Sequence, residues 1–374
     1  MRSLLSIVEA ADNLPAHPSS PYPTHSPDGT ERYVPFHLTF SDFQASLAPV
    51  GLLRPTVLAE LQADDGQEEG SPWQFYLTAS ASGSEAKQKE GNEGMEVDEH
   101  GEDLDVEVQC CFFADWVVRQ GEEGMSRVMR ETAERWKKEG KFAKQLAGWR
   151  NELYQIYASP KSSFFSSTAP QAPFANKAFT LERAACALFG LATFGVHLMA
   201  YEGEGKDMML WVPRRSTTKP TFPGMLDNTV AGGIPAGISP LESMIKECQE
   251  EASLPESFVV SRLKAAGVIT YFYITPDGYL QPELEYIYDL PLPSSTSAEY
   301  IKPKPCDDEV ESFALMNVPD TLTAMYAGEF KPNCGSVIVD FMIRHGMVAT
   351  DDEPNYLEIR WRLARRLGVA VPSG

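Results

Sequence analysis

The fold class predicted for this chain is mixed α/β, an α/β/α sandwich around a mixed sheet, preceded by a smaller α+β domain. Three observations carry that reading. Strand-like apolar runs recur along the 374 residues and are interleaved with a few helix-period segments, the pattern of helices covering a sheet. The length suits about two domains, each with its own core. A Ser/Pro-rich stretch, "SPKSSFFSSTAPQAPFANK" at 159–177, reads as a linker that separates 1–158 from 178–374.

Taken in order, "PFHLTF" and "PWQFYLTAS" within 35–81 are short strands bounded by Gly/Pro punctuation. Residues 84–107 hold ten acids and two lysines with almost nothing to bury, so a disordered, solubilising loop is expected. "VEVQCCFFADWVV" is again strand-like. "GMSRVMRETAERWKKEGKF" then sets Met125, Val128, Met129 and Trp136 on one helical stripe, read as packing. "WRNELYQIY" (149–157) closes this half. Beyond the linker, Leu181 to Leu191 predicts a buried helix and Val196 to Tyr201 a strand. "DMMLWVPRRS" is a strand ending in a basic pair. "GVITYFYIT" (267–275), "LEYIYDLPL" (284–292) and "EVESFALMNV" (309–318) are further strands, and "GSVIVDFMIRHG" and "NYLEIRWRLARRLG" read as helices.

A net charge of −21 argues against a general nucleic-acid binder, since phosphates are drawn to basic faces. No apolar run reaches 18 residues, so no membrane span is expected. At the N-terminus, Glu9 and Asp12 follow a short apolar stretch, a poor match to signal and transit peptides. Six cysteines without a CxxC pair suit a reducing compartment, and a cytoplasmic protein is expected.

The chemistry concentrates in "AGGIPAGISPLESMIKECQEEASL", which begins at Ala231. Ser239, Pro240 and Glu242 form a helix start with a capping box, and Pro255 limits the far end. Leu241, Met244 or Ile245, Cys248 and Ala252 make the expected apolar stripe. Glu247, Glu250 and Glu251 fall at i, i+3 and i+4 and converge on one polar face. Like charges so spaced repel by about 0.2–0.5 kcal/mol per pair. A hard divalent cation removes that penalty. An acidic helix alone is more often a solvated face.

The full spacing resembles the Nudix box: Gly, five residues, Glu, seven residues, then Arg-Glu-apolar-x-Glu-Glu-x-Gly-apolar. Counted from Gly232, all three glutamates occupy the family's positions. Ile238 replaces the first Glu, Lys246 the Arg and Ser253 the second Gly. Glu242 stands where it could offer Lys246 a replacement partner. The strings "LFGLATFGVH", "LWVPRRSTTKPTFPGMLDNTVAGGIPAG", "WRNELYQIY" and "VDFMIRHG" resemble a subgroup that includes the Nudix portion of fungal thiamine pyrophosphokinases and related plant and fungal hydrolases. No kinase half is expected.

That resemblance implies a Mg2+-dependent (or Mn2+-dependent) pyrophosphohydrolase converting oxidised or damaged thiamine diphosphate to the monophosphate plus phosphate. It implies Glu250 and Glu251 as metal ligands, and Glu247 as a further ligand or the general base. Gly232 and Gly233 supply a backbone that approaches closely. The resemblance also implies a further metal-binding acid from a later loop, for which Glu309 is the candidate and Glu311 the runner-up. Arg214, Arg215 and Lys219 are the candidate diphosphate ligands. Trp211 or Tyr271 could stack on a heteroaromatic ring, while His197 reads as a core histidine. The alternatives are a nucleoside-diphosphate-derivative hydrolase and a non-catalytic Nudix-fold binding module. Isopentenyl diphosphate isomerase, which shares the fold, needs a cysteine just before the loop, where "LDNTVAGG" has none.

Overall fold

Strand pairing and core packing divide the chain into two units. A computed structural model describes residues 2–15, 20–64, 70–79, 106–165, 173–306 and 308–373, apart from the side chains of Ala79 and Lys206. One unit comprises residues 16–192, 274–281 and 368–374; the other comprises 1–15, 193–273 and 282–367. The opening helix α1 (Leu5–Glu9) belongs to the second of these.

In the first unit, β1 (Val34–His37), β2 (Gly51–Leu53), β3 (Trp73–Ala79) and β4 (Val106–Phe113) form a sheet in the order β2-β1-β4-β3. The β1–β4 pair is parallel and the outer pairs are antiparallel. Helices α2 (Phe40–Gln44), α3 (Pro55–Gln62), α4 (Asp115–Val118), α5 (Gly121–Lys138) and α6 (Ala143–Leu146) accompany it. The stripe expected on α5 is real: Met125, Val128, Met129 and Trp136 are all buried. Phe36, Trp73, Phe113, Phe179 and Phe189 complete an aromatic core, with Phe36 and Phe113 edge-to-face at 5.1 Å between centroids.

Two expectations are corrected here. Leu181 to Leu191 is not one helix. Its first residues end β6 (Lys177–Glu182), which pairs antiparallel with β5 (Leu153–Tyr157), and only α7 (Arg183–Cys186) and a 3-10 turn at Ala187–Phe189 follow. The strands on either side of that expected linker, β5 and β6, pair with each other, Lys177 already belongs to β6, and the units divide between Ala192 and Thr193. The acidic segment at 84–107 lies outside the described residues, except Val106 and Glu107 in β4.

The second unit is built on β7 (Thr193–Glu202), β8 (Met209–Arg215), β9 (Val230–Gly233), β10 (Lys264–Ile274), β11 (Leu280–Pro291) and β12 (Val310–Asn317). The order is β10-β11-β7-β8-β12, with β9 also paired to β7. The sheet is mixed: β11 runs parallel to β7, whereas β8, β9 and β12 pair antiparallel with their neighbours. Around it lie α8 (Pro240–Ala252), α9 (Glu256–Arg262), α10 (Val318–Tyr326), α11 (Pro332–Arg344) and α12 (Tyr356–Leu363). Leu4, Ile7 and Val8 near α1 join Val337, Ile338 and Phe341 of α11 in its core. Buried Asp12 ties the two ends of this unit together through Arg362 at 3.1 Å and Arg365 at 2.8 Å. Among the described residues, no helix is long and apolar enough to cross a membrane.

Candidate active site

The start of α8 follows its sequence signals. Ser239 Oγ accepts from the Glu242 backbone N–H, Glu242 returns to the Ser239 backbone N–H at 3.0 Å, and Pro240 sits in the first turn. The capping box satisfies donors that a helix start leaves orphaned. Glu242 is thereby engaged in the cap, and Lys246 pairs with Glu250 at 3.2 Å. Buried positions Pro240, Met244, Cys248 and Ala252 define the packed stripe, while Leu241, a quarter-turn away, is exposed and leaves the stripe expected for it. At the C-terminus, Ser253 takes the left-handed cap position (φ 54°) that favours glycine, and its Oγ donates to the Lys304 carbonyl at 3.0 Å.

The helix aims Glu247 and Glu251 at β9. Glu251 is 8% exposed, and its Oε2 accepts from the Ala231 backbone N–H at 3.1 Å. Burial pushes its pKa up to about 8, and the charges of Asp227 and Glu247 add to the rise; the Ala231 N–H and Lys219 oppose it. Glu247 lies against Gly232, where an added Cβ would stand 2.6 Å from Oε1. Only glycine leaves that room.

The remaining expected residues are placed differently. Glu250 is exposed beside Lys246, so two of the three glutamates converge and the third stands at the rim. Glu309 is ion-paired with Lys219, joining the candidate later acid to a candidate phosphate ligand. Arg215 is corrected from diphosphate ligand to brace: it is buried, donates to Asp227 at 2.6 Å, and also to the Thr221 and Phe222 carbonyls. Arg214 is exposed and donates to the Gly224 carbonyl at 2.7 Å. Gly233 extends β9 opposite Gly195 of β7. Trp211 is core, with Nε1 bonded to Glu202 at 3.0 Å. His197 is buried, with Nδ1 2.7 Å from Asn228 Oδ1.

Among the described residues, no three His, Cys, Asp or Glu side chains are grouped so that they could hold a metal ion. The donor chemistry nevertheless fits a hard divalent cation at Glu247 and Glu251. Both supply carboxylate oxygens, one is deeply buried, and its raised proton affinity comes from burial and like charge that a cation would offset. Glu250 is held in solvent by its pair with Lys246, and such a pair is worth about 0.3–0.5 kcal/mol.

Glu283, Glu285 and Asn333 escaped the sequence reading, and Tyr271, read there as a stacking candidate, is buried among them. Tyr271, Glu283, Glu285, Asn333 and His197 form one hydrogen-bonded cluster in this unit. The available signal was the spacing of Glu283 and Glu285, two apart on a strand and so on one face.

Residues 192–333 match the family model described as NUDIX domain. The chain is similar to the uncharacterized protein YJR142W of Saccharomyces cerevisiae, 41% identical over 236 residues, covering 59% of this chain and 63% of that protein. It is also similar to Nudix hydrolase 20, chloroplastic, of Arabidopsis thaliana, at 38% over 223 residues (59% and 54%). Nudix hydrolase 24, chloroplastic, of the same plant is 36% identical over 219 residues (58% and 54%). The chain thus spans between half and two thirds of the length of these relatives.

Proposed function

We propose that the Nudix domain at residues 192–333 makes this chain a hydrolase of diphosphate bonds, dependent on Mg2+ or Mn2+, with thiamine diphosphate and its oxidised or damaged forms as substrates. The single observation that carries the hydrolase reading is the geometry of Glu247 and Glu251 around Gly232 and Ala231. In this reading Glu247 and Glu251 hold the cation, with Glu250 at its solvent edge. When bound, the metal supplies Lewis acidity and an acidified water.

The chain's own groups do the rest. The glycine backbone lets the phosphates approach the two carboxylates without a side chain between. Arg214 and Lys219 offer positive charge beside the site, Lys219 being near enough to lower the pKa of Glu251. Arg215 and Asp227 fix the loop that carries them. The thiamine assignment is supported by the subgroup resemblance of the strings quoted above. Six free cysteines, five of them buried, suit the cytoplasm proposed as its compartment.

The test is release of inorganic phosphate from thiamine diphosphate and its oxo and oxy analogues, and of AMP from ADP-ribose and NADH, with and without Mg2+. Wild type would run beside Glu251→Gln. Release from the thiamine compounds, dependent on Mg2+ and reduced at least about 100-fold in the variant, is the expected result. Release from the nucleotides alone would overturn the substrate, and no turnover at all would favour the binding-module reading.

A further inference from the structure

The second unit carries a cavity of about 490 Å³ at the opposite end of β7 from the proposed diphosphate site. Tyr201, which lines it, lies six residues along the strand from Gly195, or about 20 Å. Cavities that hold small ligands span about 300–1,000 Å³. Glu204 and Met208 from the turn after β7, Lys264 at the start of β10, Leu292 just past β11 and His345 just past α11 share the lining.

One wall is fixed by contacts behind it. His345 Nε2 lies 3.0 Å from Asp289 Oδ2, and its ring stacks on Phe341 with centroids 4.0 Å apart. Asp289 is buried and is gripped by both Nη atoms of Arg344, so its charge is already matched. Tyr201 stands edge-on to His345 at 5.2 Å between centroids. Its hydroxyl has no hydrogen-bond partner among the described residues.

The lining also carries one open charge of each sign. Glu204 and Lys264 are exposed, and among the described residues neither forms an ion pair or a side-chain hydrogen bond, with the other or elsewhere. A simple anion here would meet Glu204, with Asp289 behind His345. A simple cation would meet Lys264, with Arg344 behind it in the same way. A ligand that bears both charges finds a complement for each. Met208 and Leu292 add buried apolar surface to the same cavity.

We propose that this cavity is a second ligand site, for an α-amino acid with an apolar side chain. Lys264 and the Tyr201 hydroxyl take the carboxylate, Glu204 takes the ammonium group, and the side chain covers Met208 and Leu292. No residue of the diphosphate site takes part, so the inference stands apart from the hydrolase reading.

The experiment is calorimetric titration of the full chain at pH 7, without metal, with L-leucine and two analogues. These are 3-methylbutylamine, which lacks the carboxylate, and 4-methylpentanoate, which lacks the ammonium group. L-Leucine should bind at least about 10-fold more tightly than either analogue. Glu204→Gln should weaken L-leucine about 10-fold and leave 4-methylpentanoate unchanged. Lys264→Met should weaken L-leucine about 10-fold and leave 3-methylbutylamine unchanged. Both residues are exposed, so both variants should melt like the wild type. Should one fail to fold, the other decides. No binding of L-leucine, equal affinity for L-leucine and either analogue, or an unchanged L-leucine affinity in a folded variant would overturn the proposal.

Discussion

At the residue scale, the site depends on one hydrogen atom where other residues carry a methyl. Gly232 has no room for a Cβ beside the Glu247 carboxylate. Gly232→Ala should leave a folded protein whose turnover falls about 100-fold, because a shift of about 1 Å in a catalytic group costs that much. Circular dichroism beside phosphate release would check it, and normal turnover would remove Glu247 from the site. The three glutamates were legible from spacing alone, since a helix puts i, i+3 and i+4 on one face. Their unequal burial was not, because α8 contacts β9 along only part of that face and leaves Glu250 in solvent. Arg215 misled for a related reason. A strand-end arginine looks free until the following loop folds back and offers Asp227 and two carbonyls. Arg215→Ala should therefore cost about 3–5 kcal/mol of stability in urea melts, as expected when one partner of a buried pair is removed. A loss within about 1 kcal/mol would restore it to the surface set.

At the element scale, α8 is anchored by its cap. Ser239→Ala removes the acceptor for the Glu242 backbone N–H and should cost about 1 kcal/mol, read as a lowered denaturation midpoint with unchanged slope. An unchanged midpoint would show that packing of Met244 and Cys248 alone holds the helix start. The first unit carries its own signature in His37 of β1, 2% exposed. Burial lowers its pKa to about 4, against the 6.5 of a free imidazole, and nearby Asp42 only partly opposes this. Between those values the unfolded chain binds the proton and the folded chain does not. Stability is thus unaffected above pH 6.5 and falls as the pH drops towards 4, by about 3 kcal/mol. A His37→Asn variant should flatten that part of the pH–stability curve; an unaltered curve would exonerate His37.

At the scale of the whole molecule, the division after Ala192 changes what a fragment contains. A chain cut to 178–374 keeps β6 without β5, and keeps residues 274–281 and 368–374 without the unit they belong to. We expect this fragment to aggregate, as seen by size-exclusion chromatography, while the full chain elutes as a discrete species. A monodisperse, cooperatively melting fragment would contradict the division. A Ser/Pro-rich run was read as a linker because composition reports local flexibility. Membership of a hairpin is set by pairing partners on either side, which composition does not carry.

The sequence by itself determined the elements with strong periodicity or capping: α5 with its buried stripe, α8 from Ser239 to Ala252, and the apolar strands β7, β10 and β11. It also determined the acidic face of α8, since helical geometry is local and its consequences follow from spacing. Tertiary structure alone decided which carboxylates are buried, which cations are already spent, and that Glu285 meets Gly195 on the neighbouring strand. Those outcomes depend on residues far apart in the chain. Desolvation and charge pairing act through space, and register fixes which side chains share that space.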